Sequence, residues 1–218
     1  YAQSFSYLNN YNLLLAAKEL GIDVDDSKVL TKEENRVLKT VLEQIDKYDP
    51  IVVGLSGQIK EFREEKYYGN LGQWQHRHVS QLVGLIPGNI ITSNTPAWID
   101  AAKVVLNERG DADGVGWARA YQMCLWARAF DGNKVHEILG AFINDHVADN
   151  LWDLYDAKYN RCFQIEANFG TTAGVAEMLL QSSATGYIEP LAALPDAWHT
   201  GSYTGLVARG NFEVIASW

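Results

Sequence analysis

The chain has 218 residues, 47% apolar and 21% charged, with a formal net charge of −9. That balance predicts one large globular domain, or a domain with part of a second, able to bury a core. Without clustered Lys and Arg, nucleic acid and anionic membranes are excluded as expected partners; no apolar run nears the ~20 residues that span a bilayer, so a soluble chain is expected.

In chain order, Leu8, Tyr11, Leu14 and Leu15 share one face and predict a helix over 6–20, stopped by Gly21. Thr31 and Glu34 make a T-x-x-E capping box, behind which Val37, Leu38, Val41, Leu42 and Ile45 carry a helix to Asp49-Pro50. Glycines 54 and 57 lead into a polar stretch through Lys60–Tyr68. His78–Leu85 predicts a short helix closed by Pro87-Gly88, and Thr95-Pro96 an N-cap and first helical residue for a helix to about Glu108. Gly116–Phe130 predicts another helix, and Asn133 caps one whose core face is Val135, Ile138, Leu139, Phe142 and Ile143. Thr172–Gln181 is the last predicted helix. Beyond it, Leu206–Arg209 and Phe212–Trp218 predict strands about a Gly210-Asn211 turn. Consecutive helices joined by long glycine-containing loops suggest a helical toroid more than a four-helix bundle, whose loops are short.

Cys124 and Cys162 have no C-x-x-C partner and no His at ligand spacing, so no metal or cofactor is expected, and each reads as a small buried hydrophobe. No signal peptide is evident, and a chain that begins at Tyr1 without Met is expected to lack its native N-terminus. Seven Trp and eleven Tyr suit either a core or flat faces for sugar rings.

Four constellations could carry chemistry. Trp74-Gln75-His76-Arg77-His78-Val79-Ser80 sets two imidazoles and a guanidinium at one loop, a donor-rich group suited to sugar hydroxyls or simply a solvated turn. Phe163–Thr172 holds Glu166 and Asn168 among apolar residues, where a carboxylate must be paired, hydrogen-bonded or shifted in pKa; the alternative is that both cap the helix near Thr172. Glu61, in Gly57–Phe62, reads as a general acid or as one charge in an exposed run with Lys60, Arg63 and Glu64. Around Asp113–Arg119, Trp117 is either a sugar platform or a core residue. No G-x-G-x-x-G, Walker A, G-x-S-x-G or H-E-x-x-H segment is present.

Five segments in order, Gly57–Phe62, His76–Gly88, Gly116–Gly132, Phe163–Ser182 and Leu191–Phe212, resemble the motifs of glycoside hydrolase family 95. Those motifs read G-Q-[IL]-x-E-W, H-R-H-[VI]-S-H-L-x-G-L-x-P-G, G-W-S-R-A-W-x-x-x-L-W-A-R-L-x-D-G, F-Q-I-D-G-N-F-G-x-T-A-G and L-P-A-L-P-x-x-W. The resemblance implies a mostly α fold, part of an (α/α)6 barrel over 1–185, with 186–218 as linker and start of a small β domain. It implies hydrolysis of terminal α-linked L-fucose, typically α1,2 to galactose, with inversion; some relatives prefer α-L-galactose. Arg77 and His78, with His76, Trp117 and Asn168, would contact the sugar. Glu166 falls where the family has an Asp that polarises water-holding Asn side chains. Gln81 and Phe62 replace the usual His and Trp. The family's acid, a Glu in a Ser-Pro-Glu segment, and the water-positioning Asn residues belong upstream of the helix at 6–20, and neither segment occurs here. The chain is thus expected to need the remainder of the barrel, on a missing segment or another chain, with Glu61 as the fallback acid.

The partner expected is a fucosylated oligosaccharide, and family habit suggests a secreted, periplasmic or cell-surface bacterial protein. The rival readings are a catalytically silent fucosylated-glycan-binding protein, an α-L-galactosidase on the same scaffold, and another (α/α)6 enzyme such as a lyase or phosphorylase.

Overall fold

The capping box at Thr31 forms in the computed structural model, which describes residues 2–24, 28–65, 75–110, 114–156, 161–184 and 186–218. Thr31 Oγ1 accepts from the Glu34 N–H at 3.2 Å, and Glu34 Oε2 accepts from the Thr31 N–H at 2.7 Å. Two donors that a helix start leaves open are thereby satisfied. Helix α2 runs Lys32–Gln44 and tightens into a 3-10 turn at Ile45–Lys47; α1, Ala2–Glu19, precedes it. The two helices belong to a compact unit that ends at Val52. Inside it Tyr7 stacks on Tyr11 and meets Tyr48 edge-on, while Asn10 donates to the Tyr48 hydroxyl at 2.8 Å. Leu8, Ala17, Leu38 and Val41 are buried, but Phe5, Leu13, Leu15, Val37 and Leu42 remain exposed.

The second unit, Val53–Trp218, is organised around one helix. Helix α4, Gly116–Arg128, is buried along almost its whole length and packs against α5 (Gly132–His146) and α6 (Ile165–Leu179), with α3 (Pro96–Arg109) beside it. The α4–α6 approach is close because α6 carries glycine at the crossing. A methyl built on Gly170 would lie 3.0 Å from Ala120 Cβ, and one on Gly174 3.0 Å from Met123 Cβ. Arg128 and Glu177 join the same helices through a bidentate ion pair, Nη2 to Oε1 at 2.9 Å. Two small antiparallel sheets follow: β1 (Leu180–Gln181) with β2 (Glu189–Pro190), and β3 (Ser202–Ala208) with β4 (Phe212–Ser217). The β3–β4 turn contains Gly210 and Asn211 at φ 86° and 64°, a backbone shape those two residue types tolerate best. A mostly helical chain ending in a small β module agrees with the fold class expected from the sequence.

Several expectations are corrected. His78–Leu85 is not a helix: only Ser80–Leu82 forms a 3-10 turn, and the rest is a series of turns such as Leu85 N–H to the Leu82 carbonyl. Pro87, which has no N–H to donate, and Gly84 oppose a regular ladder there. Thr95 precedes α3 but does not cap it; its hydroxyl donates to the Thr92 carbonyl at 3.0 Å. Asp131, not Asn133, caps α5, accepting from the Lys134 N–H at 3.0 Å, and Asn133 lies within the helix and pairs with Asp196. Ile143, expected in the core, is exposed, as is Cys162, whereas Cys124 is buried. Helix α6 starts at Ile165, well before Thr172, so Glu166 and Asn168 stand on its opening turns rather than in a preceding loop. Trp74 and Asp113 lie outside the described residues.

Candidate active site

Arg109, the last residue of α3, organises the His-Arg-His loop. Its guanidinium is buried, with Nη2 on Glu61 Oε2 at 2.7 Å and Nη1 donating to the carbonyls of His78 at 3.0 Å and His76 at 3.4 Å. The other Glu61 oxygen accepts from Ser80 Oγ at 2.5 Å. Glu61 therefore ties α3 to both ends of the loop, with its two oxygens already engaged. An arginine in the last helical turn reads only as a favourable end charge, with nothing local to show that it clamps this loop.

Within the loop, His76 Nδ1 accepts from the His78 N–H at 3.0 Å, which puts the proton of the neutral ring on Nε2. The two imidazoles stack at 4.7 Å, and His78 meets the Trp117 ring at 5.2 Å. Desolvation by these neighbours, with the positive potential of His76 and Arg77, lowers the His78 pKa; Glu61 acts in the opposite sense. Arg77 is half-buried in the same loop. Trp117 comes from the first turn of α4 and is half-buried, packing on the cluster of Ala120, Phe142 and Ala167. It is thus both a core residue and a ring facing the loop. Ala167 is the neighbour of Glu166, so Trp117 joins the loop to the start of α6.

Glu166 is exposed in the first turn of α6, where unpaired N–H groups favour a negative charge. Asn168 uses both ends of its carboxamide on the preceding turn: Oδ1 accepts from the Asp153 N–H at 2.9 Å and Nδ2 donates to the Leu151 carbonyl at 2.9 Å. It braces that turn. Trp152 and Phe163 flank it as an exposed pair with ring centroids 4.5 Å apart.

The residue that sequence reasoning missed is Asp153. It is fully buried, and among the described residues neither carboxyl oxygen has a hydrogen-bond partner. Its Oδ1 lies only 2.5 Å from where a Cβ on Gly116 would stand, so glycine at the start of α4 makes the room. Burial, then the charge of Glu166, pushes its pKa up to about 7. The Leu154 N–H pulls the other way, weakly, because it is already donated to the His146 carbonyl at 2.7 Å. Asp153 stands between Trp152 and Leu154, the same apolar setting that singled out Glu166. Gln81 is also buried, and among the described residues neither of its carboxamide atoms has a partner.

Two cavities of about 310 and 380 Å³ lie elsewhere, one lined by α3, α4 and α5 residues and one between the end of α6 and β3. None of the residues singled out as candidates in the sequence lines either. Among the described residues no group of three or more His, Cys, Asp or Glu is arranged to hold a metal.

Comparison with known proteins gives the class first. Residues 6–179 match the description "Glycosyl hydrolase family 95 catalytic domain", and residues 181–218 match "Glycoside hydrolase family 95, C-terminal domain". The chain belongs to glycoside hydrolase family 95, as its five ordered motifs suggested. More particularly, it is similar to alpha-L-fucosidase 2 of Arabidopsis thaliana, 32% identical over 228 residues that cover 99% of this chain and 26% of that protein. It is also similar to probable alpha-fucosidase A of Aspergillus niger, 33% identical over 78% of this chain and 23% of the relative. The corresponding protein of Aspergillus oryzae is 29% identical over 89% of this chain and 30% of its own length. The chain thus spans roughly a quarter to a third of the relatives it matches. These relatives are from a plant and from fungi, and they lend no support to a bacterial source.

Proposed function

We propose that this chain is the C-terminal part of the catalytic region of an inverting glycosidase that removes terminal α-linked L-fucose, with α1,2-fucosylated galactosides as substrates. The observation that carries the reading is Trp117, where the His-Arg-His loop and the start of α6 converge, in a chain of the family whose named relatives are α-fucosidases. Residues 1–185 would serve the catalytic part, and 186–218 would open the β domain.

Inversion needs an acid to protonate the leaving oxygen and a base-side group about 6.5–9.5 Å away to activate water. Glu166, exposed in the first turn of α6, takes the base side by polarising groups that hold the water. Glu carries the same charge as the family's Asp on a longer stem, so its reach into the site differs. His76, Arg77 and His78 bind sugar hydroxyls. The lowered pKa of His78 keeps its ring neutral near pH 7, able both to donate and to accept. Trp117 offers a ring edge and face. Asn168 and Glu61 act as braces, Asn168 for the turn at 151–153 and Glu61 for the loop. The acid comes from outside these residues, on a further segment or another chain.

A second reading, fucosylated-glycan binding without turnover, is favoured by the full engagement of Glu61 and by Glu at position 166. Proton NMR of this chain with an α1,2-fucosylated galactoside tests both. Saturation transfer to fucose is expected without release, and β-fucose should appear first once the upstream part is supplied. Release of α-fucose would refute inversion, absence of transfer would refute the sugar site, and transfer with no release in the completed protein would establish the second reading.

A further inference from the structure

We propose that Trp152 and Phe163 form the platform for the leaving-group sugar: the galactosyl ring that fucose departs from lays its C–H face on this exposed ring pair. The proposal rests on the reading of the chain as part of an α-L-fucosidase.

Aromatic rings in contact are ordinarily a core feature, with the remaining apolar surface buried around them. Here it is not. Trp152 is 55% exposed and Phe163 45%, with ring centroids 4.5 Å apart and planes tilted by 37°. Among the described residues no other ring pair leaves both members exposed. The backbone that presents the pair is fixed. Leu151 donates its N–H to the Ala148 carbonyl at 2.8 Å, Ala148 its own to the Trp152 carbonyl at 2.9 Å, and Trp152 to Asn150 Oδ1 at 3.2 Å. Asn168 holds the neighbouring Leu151 carbonyl and Asp153 N–H, each at 2.9 Å. On the facing segment Phe163 bridges Leu154, and the Gln164 N–H donates to the Asp153 carbonyl at 3.1 Å. Within this frame Leu151 is kept at φ 67°, a left-handed shape that a residue with a branched side chain adopts only where its surroundings over-determine it. A platform held in one orientation loses little freedom when a ligand arrives.

Place and chemistry select the occupant. The pair stands at the end of α6 whose first turn carries Glu166, and Glu166, Asp149 and Asn150 next to it in the chain are exposed polar groups. An aromatic floor with hydrogen-bonding groups beside it suits a ring that has both an apolar face and hydroxyls. Galactose is such a ring: its axial O4 on one face leaves C3–H, C4–H and C5–H on the other, and the negative face of an aromatic ring attracts such hydrogens. The His-Arg-His loop and Trp117 serve fucose in this reading, which leaves the pair for the sugar that fucose is attached to.

Saturation-transfer titrations of the methyl glycoside of α1,2-fucosylated galactose and of methyl α-L-fucoside, with this chain and its Trp152→Leu and Trp152→Tyr variants, test the platform. Transfer should reach H3, H4 and H5 of the galactosyl ring. Trp152→Leu should weaken the disaccharide roughly tenfold and leave methyl α-L-fucoside unchanged, and Trp152→Tyr should keep most of the affinity. Circular dichroism checks the fold of both variants, and Phe163→Leu repeats the comparison from the second ring. Unchanged disaccharide affinity in Trp152→Leu and Phe163→Leu, or equal weakening of both ligands, would overturn the proposal. So would acrylamide quenching of the Trp152 emission, taken as parent minus Trp152→Leu, that vanishes in the completed protein without sugar; the pair would then be a seam with the rest of the catalytic region. Methyl β-galactoside separates the two claims. Its binding through Trp152, with no transfer to fucose from either fucoside, supports the platform and sinks the fucose reading, whereas transfer to fucose with none to galactose does the reverse.

Discussion

Replacing Glu61 with Gln separates a brace from an acid. Its side chain is 16% exposed and that of Arg109 8%, and they meet at 2.7 Å. Breaking a buried pair from one side typically costs about 3–5 kcal/mol, because a charge is left without its counterion. Here the guanidinium keeps the His76 and His78 carbonyls as acceptors, so the lower end applies: about 3 kcal/mol for Glu61→Gln. Arg109→Met should cost about as much, since it strands the carboxylate and releases the loop. The double variant should be less destabilised than the sum, with a coupling energy of about 2 kcal/mol. Urea unfolding followed by tryptophan fluorescence measures all four chains, and the C2 proton shifts of His76 and His78 report the loop directly. Single variants within about 0.5 kcal/mol of the parent, with unmoved histidine signals, would refute the clamp. Loss of turnover in the completed enzyme with stability intact would make Glu61 an acid after all.

Glycines on two helices should respond with opposite sign. Gly174→Ala forces a contact at 3.0 Å between backbone-fixed groups and should cost about 1–3 kcal/mol, while Gly140→Ala, with nothing within 4 Å, should gain about 0.5–1 kcal/mol; thermal unfolding reads both. Gln81→Met removes two buried polar atoms that have no partner among the described residues, at similar volume, and should raise stability by about 1 kcal/mol in urea unfolding; a loss would mean that the carboxamide has partners. Asp153, raised from 3.8 to about 7, makes the folded chain hold a proton that the unfolded chain has lost, so stability should fall as pH rises from about 4 to about 7 and then level. His78 and His146, lowered from 6.5, act oppositely, with stability lost as pH falls below that value. Urea midpoints compared between the parent and Asp153→Asn isolate the first effect. The variant should lack the decline and gain on the order of a few kcal/mol at pH 8 relative to pH 4; an unchanged profile would refute the assignment.

Local chemistry made the Thr31 capping box, the Gly210-Asn211 hairpin and the ends of α3 legible, because each depends on a few adjacent residues. The start of α6 was not. Gly170 followed by Thr171 and Thr172 reads as a break, yet the helix continues because that glycine permits contact with Ala120, a gain visible only in three dimensions. The His-Arg-His loop was recognisable as a polar cluster, but its geometry is set by Arg109, distant in sequence. Asp153 carried no periodicity or motif of its own. Its setting follows from Gly116, Asn168 and Gln164 meeting around it.

The placement of Arg109 also concentrates the hold on this loop in one side chain. One guanidinium holds Glu61 and the carbonyls of His76 and His78, so the chain on either side of residues 62–75 is anchored independently of what lies between. The imidazoles are therefore held against Trp117 by one buried charge on α3, and a change at Arg109 would reach the loop at Glu61, His76 and His78 at once.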